Sequence, residues 1–338
     1  MDEIRRIQVT GGSTYIVSLP KRWVKSQKLK PKSFIRMTLL PDNTLLIRPY
    51  KAEEDKANRN KITLQIKKNF TVGKAIREFI ASYLAGYNVI EVHFEEEMST
   101  YKEKIKNTIR EKLIGIVLLE ESTKHLLVQC IINYEDLPLN KVVERICGIT
   151  GYMIEDAVRA LINRNKELAD EVIKRDDEVD RFYFFAIRQL NQALNNPLYI
   201  HKIGLKTSRD CLGYRMIIKS IERIADHAIR IASIAKKLEM ESPKNVVSAI
   251  KKFSNTVLDV YNSTVNSIIA LDKEKAHNII DKVKLSIAVN EEEITSMLFN
   301  AQQISSIYYK LAIDSLKRIA EYSSDIAEII INLSKKTP

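Results

Sequence analysis

The sequence predicts a multidomain chain. A small β-rich unit and an α/β module come first, followed by an all-α half made of two three-helix bundles. Strand patterns occur only before residue 137, and long helical patterns follow it. Short polar breaks divide the second half into six helices, as expected of paired antiparallel bundles. At 338 residues the chain can hold two or three domains.

Residues 1–50 are predicted to form the β-rich unit. Short strands flank a turn at Gly11-Gly12, and Pro20 starts a short helix over Lys21–Gln27, because proline is favoured at the first helical position. A unit of this size buries too little apolar surface to be stable alone, so we expect a homodimer. The remaining predicted elements are a hairpin: Phe34–Leu40, the turn Pro41-Asp42-Asn43, and Thr44–Arg48.

Most of the positive charge lies in this first unit. Residues 1–50 carry ten lysines and arginines against three acids, a net charge of +7, out of +11 for the chain. Such a concentration is typical of proteins that bind polyanions, although a solvated basic surface is the alternative interpretation. If this surface does bind a polyanion, we expect five of these residues to contribute: Arg5, Arg6, Lys21, Arg22 and Lys25.

A charged linker over Lys51–Lys61 leads into the α/β module, which we place at residues 62–133. Its predicted element order is β-α-β-α-β-β. We find no catalytic constellation there and expect its two histidines, His93 and His125, to be isolated and exposed or packed on strands rather than metal ligands.

Cysteine usage and hydropathy indicate the compartment. The three cysteines are scattered without a CxxC pair, which suits a reducing environment and excludes a thiolate zinc site. No apolar run reaches the roughly 18 residues needed to span a membrane, and the chain starts with a polar stretch rather than a signal peptide. We therefore expect a cytoplasmic protein without membrane insertion.

The helical half is predicted at residues 138–335, with bundles at 138–239 and 244–335 separated by Ser242-Pro243. An internal repeat supports this division, because the Lys-Glu-x-Ala pattern at 166–169 returns at 273–276. The Arg-Ile-Ala pattern at 223–225 likewise returns at 318–320.

Two pairs of acidic residues stand out in the first bundle. Glu222 and Asp226 are one helical turn apart and in phase with an apolar stripe, and Asp176 and Asp180 occupy consecutive positions of a heptad seam. Buried carboxylates need protons, cationic side chains or a metal, and all-oxygen ligation suits hard cations. The alternative is that both pairs are solvated at the edge of the stripe, offset by arginines, with Arg215 pairing with Glu222.

The second repeat departs from this pattern. The counterparts of Glu222 and Asp226 there are Lys317 and Glu321, so an ammonium could neutralise Glu321 without metal. We expect one metal cluster or none, not two. His227 points about 100° away from Asp226 around the helix, so we expect it to be exposed or to cap a neighbour rather than bind metal.

Two family resemblances follow from these motifs. Val9–Val24, with its Ser-Thr-x-x-Val-x-Leu-Pro-Lys-x-Trp core, resembles the SpoVT/AbrB-type swapped-hairpin domain, especially the form at the front of archaeal phosphate-uptake regulators. That resemblance implies an intertwined homodimeric β-barrel that binds double-stranded DNA. The chain departs from that family at Lys32-Ser33, where Gly-Asp is usual.

Residues 140–335 resemble PhoU-type phosphate-uptake regulators, through Asp-x-x-Val-Asp at 176–180 and Ile-Glu-Arg-Ile-Ala-Asp-His-Ala at 221–228. That family implies two pseudo-repeated three-helix bundles with acidic motifs that bind multinuclear metal, either iron, zinc or magnesium-like ions. The resemblance assigns the metal site to four residues: Asp176, Asp180, Glu222 and Asp226.

The function that this combination implies is a transcription regulator of phosphate homeostasis that binds DNA and senses or relays phosphate status, in contact with a phosphate transporter component. A second interpretation is an adaptor that gates the transporter and uses its barrel only to dimerise. An enzyme, such as a carboxylate-bridged oxidase or hydrolase, is disfavoured because the Glu-x-x-His pairing of ferritin-like sites is absent.

Overall fold

A computed structural model of the chain describes residues 3–39, 43–50, 60–132, 134–239, 244–301 and 305–335, without the side chains of residues 197, 288–290 and 300–301. The chain forms two compact units, Met1–Asn60 and Lys61–Pro338. Parts of the predicted hairpin turn (41–42), the predicted linker (51–59) and the break at 242–243 lie outside the described residues.

The first unit contains two separate antiparallel hairpins and one short helix. Gly11 and Gly12 have φ values of 59° and 81°, a left-handed backbone that glycine adopts without strain, and they close the first hairpin tightly. The elements are β1 (Gln8–Thr10), β2 (Thr14–Ile16), α1 (Lys21–Ser26), β3 (Ile35–Leu39) and β4 (Leu45–Pro49).

The first unit leaves its apolar side chains uncovered. None of its described residues is buried, and Ile4 is fully exposed. A single chain therefore does not close a core around these strands. The large apolar side chains that face solvent include Ile7, Val9, Tyr15, Phe34, Met37 and Leu39.

The second unit begins with the α/β module, whose elements follow the predicted order. They are β5 (Lys61–Ile66), α2 (Val72–Leu84), β6 (Val89–Phe94), α3 (Ser99–Lys112), β7 (Ile116–Glu121) and β8 (His125–Cys130). The strand order is β5-β6-β8-β7, with β5 parallel to β6 and the other pairs antiparallel. Alternate strand residues such as Ile90, Val92 and Leu126 are buried against α2 and α3. The opposite face of the sheet carries the polar residues of the alternation.

The helical half then follows as predicted, with one continuous apolar core. Among the helices that the structure describes, none combines the length and the apolar composition that a membrane-spanning segment needs. The helices are α4 (Leu139–Asn163), α5 (Lys166–Lys174), α6 (Asp176–Asn195), α7 (Pro197–Lys202), α8 (Ser208–Ala235), α9 (Lys244–Ala270), α10 (Lys273–Ala301) and α11 (Ser305–Leu333). Contact between α8 and α11 joins the two three-helix sets.

One predicted helix, 167–195, is interrupted in the structure. Arg175 ends α5 and precedes α6, and its guanidinium bonds the carboxylate of Asp156 on α4 at this junction. The interruption changes the phase of the predicted heptad seam. Val172 and Val179 take the centre of the buried face, and Asp176 and Asp180 lie half-buried at its margin.

A buried arginine fixes α6 against the α/β module. The guanidinium of Arg188 is fully buried and donates hydrogen bonds to the carbonyl oxygens of Tyr83 and Gly86, to the side-chain oxygen of Asn88 and to the hydroxyl of Tyr134. It also stacks on the Tyr83 ring, 4.8 Å from the ring centroid. The module and the first bundle are therefore joined through a polar network rather than only by apolar contact.

Candidate functional site

The four acids predicted to bind metal lie on two helices that pack against each other, α6 and α8. Asp176, Asp180 and Glu222 are half-buried, and Asp226 is exposed. Two aspartates come from the first turn and a half of α6, and the other two acids come from consecutive turns of α8. The structure thus brings the four residues to one region between the helices, at the margin of the core.

The carboxylates perturb one another. Burial, together with the negative charges of Asp180 and Asp226, raises the pKa of Asp176 to about 6. Burial also raises the pKa of Glu222, against the hydrogen bond from Lys219, and Asp226 raises it further. The pKa of Asp226 is raised by loss of solvation despite the opposing charge of Lys219. Such a cluster is stabilised by any added cation.

Two lysines partly supply that positive charge. The ammonium of Lys112 lies 2.9 Å from a carboxylate oxygen of Asp180 and 3.3 Å from one of Asp177. The ammonium of Lys219 lies 2.6 Å from Glu222. Among the described contacts, Arg215 does not pair with Glu222 as the no-metal alternative had it, but donates to the hydroxyl of Tyr183 at 3.1 Å.

The donor chemistry of the acid cluster suits a hard cation, since it offers only oxygen atoms in a half-buried place. In the described part of the chain, however, no three of these carboxylates bring ligand atoms within 4.8 Å of one another. A bound ion would draw the carboxylates together and replace the ammonium groups of Lys112 and Lys219.

The second repeat is neutralised by its own side chains. Glu291 lies between the ammonium groups of Lys310, at 2.8 Å, and Lys317, at 2.6 Å. Burial alone would raise the pKa of Glu291, but these two hydrogen bonds lower it. Lys317 is close enough to Glu321 for that carboxylate to help raise the pKa of Lys317, but the direct ion-pair partner of Glu321 is Arg318, at 2.6 Å.

His227 is buried rather than exposed, so that expectation is also wrong. Its ring packs against the ring of Tyr322 on α11, with 5.9 Å between centroids, and no described residue forms a hydrogen bond with its Nδ1 atom. Burial, with the charges of Arg230 and Arg318, lowers the pKa of His227 to about 4. The motif residue therefore serves the contact between the two bundles.

The five residues predicted to contact DNA are all exposed in the first unit. Lys21 and Lys25 are one turn apart on α1 and so share a face of that helix. Arg5 pairs with the carboxylate of Glu3. The other two predicted contacts are Arg6 and Arg22.

A further cluster lies on the open face of the α/β sheet. Glu91 and His93 alternate along β6, and His125 is the cross-strand partner of His93 on β8. Their ligand atoms all lie within 4.8 Å of one another, so the group could hold a metal ion. The prediction that the two histidines are isolated is wrong. The Glu-x-His spacing puts two of these side chains on one face, but the pairing of β6 with β8 could not be inferred from sequence.

Comparisons with known protein families match two separate parts of the chain. Residues 143–235 match the PhoU domain family. The chain carries a PhoU domain. Residues 8–55 match a second family, described as antidote-toxin recognition MazE, bacterial antitoxin, so an AbrB-like domain precedes the PhoU domain. Both predicted resemblances are confirmed.

Curated relatives match the PhoU part. A "Phosphate-specific transport system accessory protein PhoU homolog" from Pseudomonas aeruginosa is 26% identical over 199 residues, which cover 56% of this chain and 79% of that protein. A homolog with the same name from Aquifex aeolicus is 33% identical over 129 residues, 38% of this chain and 57% of that protein.

A solved structure supports the fold. The crystal structure of PhoU from Pseudomonas aeruginosa superposes with a TM-score of 0.53 at 21% identity, and the match covers 60% of this chain and 97% of that one. At this identity the likeness concerns the fold alone. It confirms the predicted fold class for the helical half.

Proposed function

We propose that this protein is a cytoplasmic, DNA-binding regulator of phosphate uptake rather than an enzyme. One observation carries the proposal, namely the presence of an AbrB-like domain and a PhoU domain in the same chain. The named relatives are accessory proteins of phosphate-specific transport. In this proposal residues 1–50 dimerise and bind DNA, residues 62–133 form a separate α/β module, and residues 138–335 relay phosphate status.

Dimerisation is supported by the uncovered apolar residues of the first unit. Ile4, Tyr15 and Phe34 are each at least three-quarters exposed in one chain, which is costly for large apolar side chains. A second copy that packs its hairpins against these residues would complete the core. The first unit would then be stable only as a homodimer.

DNA binding is supported by the charge of the same unit. Its net charge of +7 and the exposure of all five predicted contact residues provide phosphate contacts. Dimerisation would double the number of such contacts on one DNA duplex. Affinity should therefore depend steeply on salt concentration.

Titration of the full-length protein with a duplex of its own promoter region, at several salt concentrations, tests this proposal. Lys21→Ala/Lys25→Ala should weaken binding and reduce the slope of log K against log salt by about 0.9 for each phosphate that is no longer neutralised. The matched control Lys251→Ala/Lys252→Ala removes two exposed lysines from α9 and should change neither value. Absence of sequence-specific binding at moderate salt would contradict the proposal.

The relatives' names favour a second candidate, an adaptor that gates a phosphate transporter and uses the first unit only to dimerise. The two candidates differ in what Lys21→Ala/Lys25→Ala changes in cells. Loss of transcriptional control with intact phosphate uptake kinetics supports the regulator. If Lys21→Ala/Lys25→Ala leaves transcription unchanged, and deletion of the whole protein alters phosphate uptake kinetics, the adaptor is supported.

We further propose that Asp176, Asp180, Glu222 and Asp226 hold metal in the first bundle, as iron, zinc or magnesium-like ions. Three of these carboxyl groups have raised pKa values, which supports the idea that an added cation would stabilise their ionised forms. The ion would neutralise the carboxylates and tie α6 to α8.

Binding of Mn²⁺ tests the acid cluster, because Mn²⁺ prefers oxygen ligands. Glu222→Ala/Asp226→Ala should bind less Mn²⁺ than the wild type. The control Glu292→Ala/Glu293→Ala removes two exposed acids from α10 and should bind as much as the wild type. Equal Mn²⁺ in the wild type and the Glu222/Asp226 variant would reject the site.

A further inference from the structure

The open face of the α/β sheet brings two histidines and one glutamate together across its central antiparallel pair. His93 and His125 face each other from β6 and β8, with ring centroids 4.9 Å apart. Glu91 lies two residues before His93 and so projects from the same face of the sheet. The three side chains come from rigid strands rather than from loops, so their positions are well defined.

Two distances within this triad are close to those between the ligands of a tetrahedral ion. The Oε1 atom of Glu91 lies 3.1 Å from Nε2 of His125 and 3.4 Å from Nε2 of His93. Ligand atoms at about 2.0–2.2 Å from a tetrahedral zinc ion are separated by roughly 3.3–3.5 Å. The carboxylate oxygen is thus close to a tetrahedral edge length from each imidazole nitrogen, and all three ligand atoms lie within 4.8 Å of one another.

The two oxygens of Glu91 have different surroundings. Oε2 accepts a hydrogen bond from the hydroxyl of Thr63 and contacts the ammonium of Lys61, each at 3.0 Å on β5. Oε1 faces only the two imidazoles among the described contacts. These partners lower the pKa of Glu91 to about 2, with the Lys61 hydrogen bond as the largest cause, so the carboxylate is ionised throughout the physiological range. This is how supporting hydrogen bonds orient a metal ligand in known sites.

The site is also open to solvent on one side. The side chain of His93 is 41% exposed, whereas those of His125 and Glu91 are 20% and 19% exposed. An ion can therefore enter, and a water molecule can take the fourth position. Two histidines, one carboxylate and one open position form a ligand set typical of zinc.

We propose that Glu91, His93 and His125 bind one Zn²⁺ ion on the open face of the α/β sheet. The ion joins β6 to β8, and Thr63 holds the glutamate ligand in place. This site is distinct from the acid cluster between α6 and α8, and it does not rest on the proposed function. Its ligands include nitrogen, whereas the acid cluster offers oxygen alone.

Zinc affinity of the full-length protein, measured by competition with a chromogenic chelator, tests the site. His93→Ala/His125→Ala should lose high-affinity binding. The control His201→Ala/His277→Ala removes two exposed histidines from the helical half and should bind like the wild type. Glu222→Ala/Asp226→Ala should also keep this zinc ion, which separates the two sites.

Two measurements guard against a folding defect. Zn²⁺ should raise the thermal unfolding midpoint of the wild type but not that of His93→Ala/His125→Ala, and Glu91→Gln should give the same result while keeping the side-chain shape. Co²⁺ added in place of Zn²⁺ should give the visible absorption of tetrahedral coordination in the wild type. Equal zinc affinity in the wild type and both triad variants, or Co²⁺ spectra that do not change with these substitutions, would overturn the proposal.

The supporting hydrogen bond from Thr63 gives a finer test. Thr63→Val keeps the shape of the side chain and removes its hydroxyl, so zinc affinity should fall by about 10- to 100-fold. Adventitious binding at exposed histidines would not respond to this substitution, so an unchanged zinc affinity in Thr63→Val would count against an oriented site.

Discussion

The ammonium of Lys112, at the end of α3, lies 2.9 Å from the carboxylate of Asp180 on α6. This contact joins the α/β module to the acid cluster of the first bundle. Burial opposes the charge of the Lys112 ammonium, but the bonds to Asp180 and Asp177 outweigh it and raise its pKa. Lys112 thus provides in the metal-free protein part of the charge that a bound ion would supply.

Replacement of Lys112 by methionine should therefore have two effects. The metal-free protein should become less stable by up to about 1 kcal/mol of unfolding free energy, because the partly exposed ion pair is removed. Mn²⁺ should bind the acid cluster more tightly, because the competing ammonium is gone. Urea unfolding and Mn²⁺ titration measure the two effects. Lys106→Met, which removes another lysine of α3 that pairs with Glu103 and Glu121, is the control and should leave Mn²⁺ affinity unchanged.

Asp176 predicts a pH dependence of stability in metal-free protein. Its pKa is about 6 when folded, against an ordinary value of 3.8, so the folded protein binds more protons between these values. The contribution of Asp176 to the free energy of unfolding therefore falls as pH rises from 4 to 6. Asp176→Asn should unfold at higher urea than the wild type at pH 7, and the difference should shrink toward pH 4. A constant difference across that range would contradict the raised pKa.

His227 predicts the opposite trend. Its pKa falls from 6.5 to about 4 on folding, so the unfolded chain binds more protons between these two pH values. The contribution of His227 to the free energy of unfolding therefore decreases as the solution is acidified. His227→Phe keeps a ring against Tyr322 and should remove this part of the acid sensitivity. Urea midpoints at pH 7 and pH 5 for the wild type and the variant give the comparison. If both proteins lost equal stability on acidification, His227 would not be the titrating group.

Arg188 predicts a large structural effect. Methionine at this position fills similar space but removes all four hydrogen bonds that the guanidinium donates within a buried polar network. Arg188→Met should cost at least about 3 kcal/mol of unfolding free energy. Chemical denaturation measures this loss. Arg181→Met, at an exposed position of the same helix, should be nearly neutral, and a similar neutrality for Arg188→Met would show that the network contributes little.

Gly213 predicts a steric effect between α8 and α11. A Cβ atom added there would lie 2.6 Å from Cδ2 of Leu333, closer than real carbon contacts allow. Gly213→Ala should therefore displace the Leu333 side chain and destabilise the protein by no more than about 1 kcal/mol, because Leu333 can rotate and alanine favours the helix over glycine. Leu333→Ala in the same chain should relieve the clash and recover part of that stability in thermal unfolding. Additive destabilisation in the double variant would place the cause elsewhere.

The sequence was sufficient for the large features of this fold. The switch from period-2 to helical patterning at residue 137 located the helical half, and the Ile221–Ala228 motif located the PhoU domain. Such features depend on local periodicity and composition, which a single chain displays directly.

Contacts between distant segments were not accessible in the same way. Lys112 and Asp180 are 68 residues apart, and nothing local indicates that they meet. His93 and His125 needed the strand register, which depends on how the whole sheet packs. The predicted heptad seam through Asp176 is out of phase with the buried face in the structure, because neither glycine nor proline marks the break between α5 and α6 at Arg175.

The position of β8 has a consequence for how the α/β module is made. β8 is the last of its strands in the chain, yet it lies between β6 and β7, so the sheet stays open until residue 130 has left the ribosome. Until then the edge of β6 that pairs with β8 is unpaired, and Glu91 and His93 cannot contact His125. Because β8 is synthesised last, the sheet face that carries Glu91, His93 and His125 is completed late in the folding of the α/β module, just before the helical half is synthesised.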